Sequence, residues 1–525
     1  MNAPTTGNAA GTAGTTGTTP ADATVEVSTA RRWASLAVLS ASLLVVTMDL
    51  TILNVALPEL AADVRPSATE QLWIVDSYSL VLAGLLISMS ALADRWGRKR
   101  LLLLGFVVFG AASALVVVTD SPWEVVAARS LLGAGGAMIM PTTLSLLRSV
   151  FTDPAERATA LGVWAGVSAL GAAIGPIAGG ALLEHFSWHA AFLVNVPLMA
   201  IAVVAGATIL PEARATHASP WDVPAIALSI AGMVGLVWAI KRVAEEESLT
   251  DPLGLGVLVA AVAALAVFVR RCLRRPDPLL DVRLFRRRPF AAGVVAALSA
   301  MFAMAAILLL LAQWLQLVEG HSPLAAGVRL LPLAGGGLAA SLLASPLARL
   351  VGARTVLAGG LAAAGLGALL VPLAPGDLGY GTVAAAMTLV GAGAGSLAIG
   401  SAMIMAGTPA DKAGSAAAIE ETAYDLGSVL GVAALGSLAS VVYRDRLRVE
   451  ALLAEGLPAD AARAAADSLG AATTLGVPGL AERAGAAFTD ALVETCLAGG
   501  VAMVVMAVVV WATAPRGLDI TQQQH

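Results

Sequence analysis

One aspartate stands alone inside a long apolar run of this sequence. The run is "LLVVTMDLTILNVALP", from Leu43 to Pro58, and the aspartate is Asp49. A carboxylate in hydrocarbon is costly and rare, so it marks a candidate functional site with a partner nearby. Arg129 is the candidate partner. Asp49 lies about 12 Å before the outer end of its predicted helix, and Arg129 lies about 9 Å after the outer start of its own, so the two side chains are at similar depths. We expect an ion pair that a proton on Asp49 would release, with a static structural pair as the alternative.

A second group of acids lies in "AIEETAYDLGS", at residues 418–428. Glu421 and Asp425 are four residues apart, so on a helix they share one face with Tyr424. Glu420 points about 100° away. Two desolvated carboxylates that repel each other should titrate as a coupled pair, which is what a proton carrier needs. An aromatic ring beside them suits a lipophilic cation. Residues around an inert water pocket are the alternative interpretation.

Aromatic residues accompany a further acid, Asp76, in "WIVDSYSL". With Trp73 and Tyr78, Asp76 could relay a cation, although its position near a helix end is equally consistent with simple solvation. Trp164 is an aromatic candidate for the wall of a cavity, with packing against lipid or core as the alternative. The candidate substrate-contacting residues are therefore Asp76, Trp73, Tyr78, Glu420, Tyr424 and Trp164.

Long apolar helices must position these side chains. Of the 525 residues, 58% are hydrophobic and 13% are charged, and the mean hydropathy is +0.83, which is more than a soluble interior can bury. The apolar runs are about 20 residues long, as expected for membrane-spanning helices rather than barrel strands. We predict an all-α membrane protein with fourteen spans, at residues 33–57, 71–93, 101–118, 123–147, 158–182, 190–210, 223–241, 254–270, 290–318, 324–348, 355–373, 380–406, 413–442 and 488–513.

The distribution of positive charge orients these spans. About 21 of the 31 lysines and arginines fall in one set of loops, which the positive-inside rule assigns to the cytoplasm. A thirteen-span arrangement would place the basic run at residues 270–289 outside, which the same rule disfavours. We expect a plasma (inner) membrane protein with both termini in the cytoplasm, including a disordered tail at residues 1–30 and a second tail at 516–525.

A weak internal repeat indicates two related halves. "LADRWGRK" at residues 92–99 matches "LARLVGAR" at 347–354 in the Leu-Ala pair, the glycine and the last basic residue. The duplication predicts a six-helix bundle at residues 31–212, two inserted helices with a basic loop at 213–288, and a second six-helix bundle at 289–515. Amphipathic stretches within residues 443–487 predict an extracellular helical hairpin that is either a lid or a solvated ornament.

Several motifs resemble those of the major facilitator superfamily. "SALADRWGRKR" at residues 90–100 looks like its loop signature, and "GAAIGPIAGG" at 171–180 looks like its antiporter signature. Together with "MDLTILNVALP", "LWIVDSYSL" and "SPLAAGVRLLP", they resemble the fourteen-span drug/proton antiporter branch, closest to multidrug exporters of the QacA, LfrA and SmvA type. The resemblance implies two bundles that rock against each other while protons are exchanged for hydrophobic, often cationic compounds.

The two signatures suggest a gate and a close helix contact. In the loop, an ion-pair cluster between the two halves would latch one conformation, whereas positive-inside topology alone is the alternative. The gate candidates are Asp94, Arg95, Gly97, Arg98 and Lys99. In the antiporter signature, small residues allow close packing and a proline allows a kink, with or without a role in coupling. The candidates there are Gly171, Gly175, Pro176, Gly179 and Gly180.

The resemblance and the buried charges together predict a proton-coupled multidrug efflux antiporter. Its proton-coupling residues would be Asp49, Glu421, Asp425 and Arg129. Its partners would be protons, the lipid bilayer and small hydrophobic or cationic molecules such as quaternary ammonium compounds, dyes and antibiotics. We expect a monomer with no nucleic acid, cofactor or metal and no enzymatic activity, since no nucleophile or metal-ligand constellation stands out. The alternatives are an exporter dedicated to one endogenous metabolite or antibiotic, and a membrane sensor or scaffold that transports nothing.

Overall fold

The chain folds almost entirely into helices. The computed structural model describes residues 28–151, 153–212, 222–246, 251–275, 278, 280–374, 378–409 and 412–516, and the regular structure in these residues is helical throughout. The prediction of an all-α membrane protein is therefore confirmed. Both predicted tails lie outside the described residues, apart from residues 28–30 and 516.

The helices fall into three groups along the chain. The first group contains α1 (Thr29–Val64), α2 (Ala68–Trp96), α3 (Arg98–Leu115), α4 (Pro122–Val150), α5 (Pro154–Leu183), α6 (Ala190–Leu193) and α7 (Asn195–Ile209). The inserted pair is α8 (Val223–Glu245) and α9 (Pro252–Arg274). The third group contains α10 (Arg288–Gln313), α11 (Pro323–Arg329), α12 (Leu331–Val351), α13 (Ala353–Leu370), α14 (Tyr380–Gly395), α15 (Leu397–Ala406), α16 (Ala413–Gly431), α17 (Ser437–Leu447), α18 (Val449–Ala454), α19 (Ala459–Asp467), α20 (Leu469–Thr474) and α21 (Leu480–Thr513). Short π-helical segments continue α10 at Trp314–Val318 and α16 at Val432–Gly436.

Local sequence signals set where several helices begin and end. Ser67 and Glu70 form a capping box at the start of α2, in which the Ser67 backbone N–H donates to Glu70 Oε2 at 2.9 Å. Gly97 separates α2 from α3 with a φ of 118°, and Gly352 separates α12 from α13 with a φ of 86°. Glycine adopts such angles readily and other residues do not. The turns at the two copies of the predicted repeat thus both require a residue that adopts a positive φ.

Thirteen segments in the described chain are long and apolar enough to cross a membrane. They include a helix at every predicted span except 71–93, which corresponds to α2. Because α2 is 29 residues long and packs along α4, it is the helix that would supply the fourteenth span, and the count of fourteen stays a prediction. The helix predicted at 33–57 in fact runs from Thr29 to Val64. The segment at 59–64, which contains two acidic residues, stays helical and extends α1 beyond its apolar part.

The helices pack as two bundles with the inserted pair between them. Helices α1 to α7 pack mainly on one another, and so do α10 and α12 to α17 together with α21, whereas α11 packs mainly on α5 of the first bundle. The inserted α8 and α9 pack on each other, and α8 also contacts α2 from the first bundle and α17 from the second. An apolar cluster at this junction contains Leu80 of α2, Val237 of α8 and Val429 of α16. Helix α8 therefore lies across the seam between the bundles, whereas α9 packs chiefly on α8.

Three short helices, α18 to α20, cover one end of the molecule, and we call residues 449–474 the cap. Tyr443 of α17 donates from its hydroxyl to Ala465 O at 2.9 Å, and Gln71 of α2 donates from Nε2 to Ser468 Oγ at 3.1 Å. The cap is thus attached to both bundles. The structure has three short helices where the sequence predicts a hairpin, and their buried apolar face comprises Leu452, Ala462, Ala465, Ala466 and Leu469. The extracellular location and the choice between a lid and a solvated ornament stay predictions.

The two bundles also contact each other beneath the cap. Gln316 donates from Nε2 to Val55 O at 3.1 Å and so joins the end of α10 to α1. A Cβ atom added to Gly180 of α5 would lie 2.6 Å from the backbone nitrogen of Leu324 in α11. Such an approach is possible only without a side chain. The structure is therefore a conformation closed at this end, which we call the cap end.

Candidate functional site

Asp49 forms the ion pair that the sequence predicts. Its Oδ2 atom lies 3.0 Å from Nη1 of Arg129, and the two side chains are 0% and 2% exposed. Asn195 of α7 donates from Nδ2 to Asp49 Oδ1 at 2.7 Å, and Arg129 Nε donates to Ile74 O of α2 at 3.3 Å. One pair of charges thus ties four helices together. In so dry a setting, loss of either charge would leave the other buried without a partner.

Tyr78 belongs to the Asp49 site, whereas the sequence grouped it with Asp76. The guanidinium carbon of Arg129 lies 4.6 Å from the centroid of the Tyr78 ring. The hydroxyl group is buried and has no hydrogen-bond partner in the described part of the chain. A step of two residues turns a helix by about 200°, so Tyr78 and Asp76 lie on opposite sides of α2.

The antiporter signature brings α5 against the helix that carries Asp49. A Cβ atom at Gly175 would lie 2.8 Å from Met48 O, and Thr51 Oγ1 donates to Ala172 O at 3.1 Å. Met48 and Thr51 flank Asp49 along α1, so the spacing between the two helices is set at the level of the ion pair. The glycines whose Cβ positions would clash with α1 are Gly171, Gly175 and Gly179.

The remaining residues of that signature face the second bundle. A Cβ atom at Gly180 would lie 2.6 Å from Pro323 O, and Gly327 of α11 abuts the backbone of Pro176. Pro176 lies within the continuous helix α5, where it removes one backbone hydrogen bond. Helix α5 therefore contacts the helix of Asp49 on one side and the other bundle on another.

Asp76 is buried and not solvated. Its side chain is 2% exposed, and its Oδ2 atom lies 2.9 Å from Nζ of Lys241 on α8. The same ammonium group is 4.0 Å from the centroid of the Trp73 ring. A carboxylate and an aromatic face thus hold one cation, which is a combination that also recognises organic cations. The solvation interpretation is wrong because the inserted pair covers Asp76.

The acids of α16 form two groups. Glu420 accepts hydrogen bonds from Ser401 of α15 and from the Tyr424 hydroxyl, the latter at 2.8 Å. Tyr424 therefore pairs with Glu420 and not with the predicted Glu421 and Asp425, because a step of four residues returns a helix to nearly the same face. Asp425 interacts electrostatically with Glu421, as predicted. Its Oδ2 atom is buried with no hydrogen-bond partner in the described residues.

Basic partners are distributed unequally among these acids. The two acids of the first bundle each have one, Arg129 or Lys241. Within the described chain, no lysine, arginine or histidine forms an ion pair with Glu420, Glu421 or Asp425. The acidic side chains of the site that have no basic partner in the described chain are therefore those of α16.

An acid that the sequence analysis did not single out, Glu212, holds the loop after α2. Glu212 Oε1 accepts from the Lys99 backbone N–H at 3.3 Å, and Glu212 Oε2 lies 3.7 Å from Nε of Arg100. The Lys99 ammonium donates to Ala207 O at 2.7 Å and to Leu210 O at 2.8 Å, at the end of α7. The sequence signal that could have identified Glu212 is its position. It lies about one turn past an apolar run, on the same predicted side of the membrane as the basic loop after α2.

The rest of the gate signature also contacts the first bundle. Arg98 Nη1 donates to Ser145 O of α4 at 3.4 Å, and Arg95 is exposed. Gly97 provides the turn, as predicted. The side chain of Asp94 lies outside the described part of the structure. The partners named here belong to the first bundle, whereas the sequence predicted an ion-pair cluster between the two halves.

Trp164 is half-buried in α5, and its Nε1 atom has no hydrogen-bond partner in the described residues. Its place in a cavity wall stays a prediction.

In the described residues, no group of three or more His, Cys, Asp or Glu side chains could hold a metal ion. The chemistry available at the site is therefore that of carboxylates, two buried cations, one amide and aromatic rings.

Comparison with known proteins assigns the family. The family model of the Major Facilitator Superfamily matches residues 39–432. The chain belongs to the major facilitator superfamily. The multidrug efflux pump LfrA of Mycolicibacterium smegmatis is 40% identical to it over 91% of this chain and 96% of its own. The methyl viologen resistance protein SmvA of Salmonella typhimurium is 37% identical over 85% of this chain and 89% of its own.

A solved structure has a similar fold. It is a bacterial homolog of the human lysosomal transporter Spinster, in an inward-facing and unoccupied conformation. It aligns with a TM-score of 0.64 at 16% identity and covers 93% of this chain and 97% of its own. The predicted fold and family are therefore confirmed.

Besides Glu212, two buried site residues of this major facilitator protein were not predicted from its sequence. Asn195 is a lone amide within the apolar run "FLVNVPLMAIA", and such residues often bond across helices. Lys241 is the last residue of the span predicted at 223–241, a position typical of an interfacial flanking charge. Neither signal reveals which helix the side chain meets.

Proposed function

We propose that this chain is a proton-coupled antiporter that exports hydrophobic, often cationic compounds, including dyes, quaternary ammonium compounds and antibiotics, across the plasma membrane. The observation that carries the proposal is the group of α16 acids without a basic partner in the described chain. A buried carboxylate is tolerated only when its charge is neutralised. A proton and a substrate cation are the two mobile species that can do so.

Competition for the same carboxylates would couple the two fluxes. A cation that binds beside Glu421 and Asp425 would displace protons, and returning protons would release the cation. One turn away, the Glu420 carboxylate and the Tyr424 ring offer charge and cation–π attraction to a lipophilic cation. The names of the relatives, a multidrug efflux pump and a methyl viologen resistance protein, support this substrate class.

The Asp49–Arg129 pair would be the second coupling site. It links α1 to α4, and Asn195 extends the link to α7. Protonation of Asp49 would remove one charge of the pair and weaken that link. Because α5 packs against α1 at this level and against α11 at the cap end, a change at Asp49 would reach the contact between the bundles.

Substrate-induced proton release tests the proposal. Ethidium is added to the purified chain in weakly buffered detergent solution, and the released protons are measured for the parent, Glu421→Gln and Glu450→Gln. We expect fewer protons from Glu421→Gln than from the parent. Glu450 is exposed in the cap, so its variant should match the parent. Equal release from the parent and Glu421→Gln, or no release from either, would show that α16 does not couple cations to protons.

Three finer features belong to the same proposal. We expect a monomer without enzymatic activity, whose termini both lie in the cytoplasm.

An exporter dedicated to one endogenous metabolite would use the same acids. A resistance panel in cells separates it from a broad exporter, since the dedicated protein would protect against one compound and the broad one against several unrelated cations.

A further inference from the structure

Lys241 occupies a place with the chemistry of a binding site for an organic cation. Its ammonium group lies between the Asp76 carboxylate and the Trp73 ring, at 2.9 Å from the first and 4.0 Å from the centroid of the second. The same lysine lines a pocket at the cap end, whose other walls include Glu70, Trp123 and Trp238. Acids and indole rings in one pocket attract cations. The cation between Asp76 and Trp73 is a side chain of the protein itself.

The neighbouring Arg242 lines the same pocket, with its guanidinium carbon 5.5 Å from the centroid of the Trp238 ring, but the acids it pairs with lie at the end of α8 and just before α9. Arg242 Nε lies 2.7 Å from Asp251 Oδ2, and its Nη2 atom lies 3.0 Å from Glu246 Oε1. Arg242 thus links the end of α8 to Asp251, the residue before α9. The Lys241 side chain, by contrast, extends from α8 to an acid of the first bundle, Asp76 of α2.

Helical spacing relates the Lys241 site to the acids of α16. Leu80, Val237 and Val429 meet in one apolar cluster. Each is four residues from a charged side chain of its own helix, and side chains four residues apart share a face. The charged residues on those faces are Asp76, Lys241 and Asp425.

The direction of each helix then gives the separation. Since α2 starts at the cap end whereas α8 and α16 run toward it, Asp76 and Lys241 lie one turn closer to the cap than the cluster. Asp425 lies one turn farther from the cap. The two sites are therefore separated by about two helical turns, or roughly 11 Å.

We propose that Lys241 is a tethered cation that fills the Asp76–Trp73 site and so limits the number of positive charges a substrate can carry. With Lys241 in place, the α16 acids are the only ones of this pathway in the described chain that lack a basic partner. Without it, Asp76 becomes a second anionic site at a distance that a flexible dication can span. The inference rests on the proposed function, because it concerns the substrates of the same pathway.

Equilibrium binding to the purified full-length chain tests the inference. Two probes compete with ethidium, namely octyltrimethylammonium with one charge and octamethonium with two charges joined by eight methylene groups. We expect Lys241→Gln to improve the affinity for octamethonium about tenfold relative to octyltrimethylammonium. Lys241→Arg keeps the charge and should keep the affinity ratio of the parent. The neutral double variant Asp76→Asn/Lys241→Gln should also keep it.

Several outcomes would overturn the inference. An unchanged affinity ratio in folded Lys241→Gln would do so, as would an equal shift in Lys241→Arg. Should Lys241→Gln fail to fold, the double variant decides, because a loss of octamethonium affinity there would show that Asp76 already serves dications beside Lys241. These readouts need no proton gradient. A parent that binds both probes without releasing protons would therefore contradict the proposed function and leave the charge-limiting role of Lys241 measurable.

Discussion

We expect the replacement of Asp49 by asparagine to separate proton coupling from substrate binding. The substitution keeps the size of the side chain and an acceptor for Asn195, but it removes the charge 3.0 Å from Arg129. Arg129 is 2% exposed, so its charge would be left buried without a partner. Breaking such a pair costs about 3–5 kcal/mol. This corresponds to roughly a hundredfold to a few thousandfold change in any equilibrium that depends on the pair.

Two assays in proteoliposomes report the consequence. In the proposed mechanism, ethidium transport driven by an imposed pH gradient requires Asp49 to bind and release a proton, so we expect Asp49→Asn to abolish the response. Exchange of ethidium for ethidium requires no net proton movement, so it should continue. A matched control is Asp63→Asn on the same helix, where Asp63 accepts a hydrogen bond from Trp188 Nε1 at 2.8 Å. That variant should respond to the gradient like the parent.

Unfolding measurements check the energetic reasoning independently. Asp49→Asn should be destabilised by about 3 kcal/mol or more, whereas Asp49→Asn/Arg129→Met removes both charges and should recover most of the loss. A double variant as unstable as the sum of the single variants would show that the ion pair is not what holds these helices. An undiminished response of Asp49→Asn to the pH gradient would refute the coupling role itself.

Three further predictions concern helix packing, substrate contact and the cap. Gly175→Ala should destabilise the α1–α5 contact by about 1–3 kcal/mol, whereas Gly166→Ala, which faces open space on the same helix, should be nearly neutral in thermal unfolding; equal shifts would contradict this. Tyr424→Leu should weaken ethidium binding about tenfold and Tyr424→Phe much less, because phenylalanine keeps the ring; similar losses would exclude a role for the ring. Burial raises the pKa of Asp467 in the cap, so its contribution to stability is present at low pH and is lost as the pH rises through the folded-state value. Asp467→Asn should therefore slow hydrogen exchange in the cap at neutral pH and change it little at acidic pH, and the opposite pattern would be inconsistent with a raised pKa.

The sequence alone determined the class of protein, the helices and the identity of most charged site residues. Apolar runs of spanning length dictate membrane helices, because only intrahelical hydrogen bonds satisfy the backbone in hydrocarbon. The pairing of Asp49 with Arg129 was also predictable. In a membrane each buried charge needs a partner, and depth along a helix can be counted at a fixed rise per residue.

Tertiary structure alone decided which faces of the helices meet. A helix that is apolar all round has no polar stripe to distinguish its buried side from its lipid-facing side, so the pairing of Lys241 with Asp76 and of Tyr424 with Glu420 was hidden. The same holds for Asn195, which reaches Asp49 from a helix 146 residues away in the chain. Spacing along one helix shows which side chains share a face, but the neighbour across that face depends on how the bundles and the inserted pair pack together.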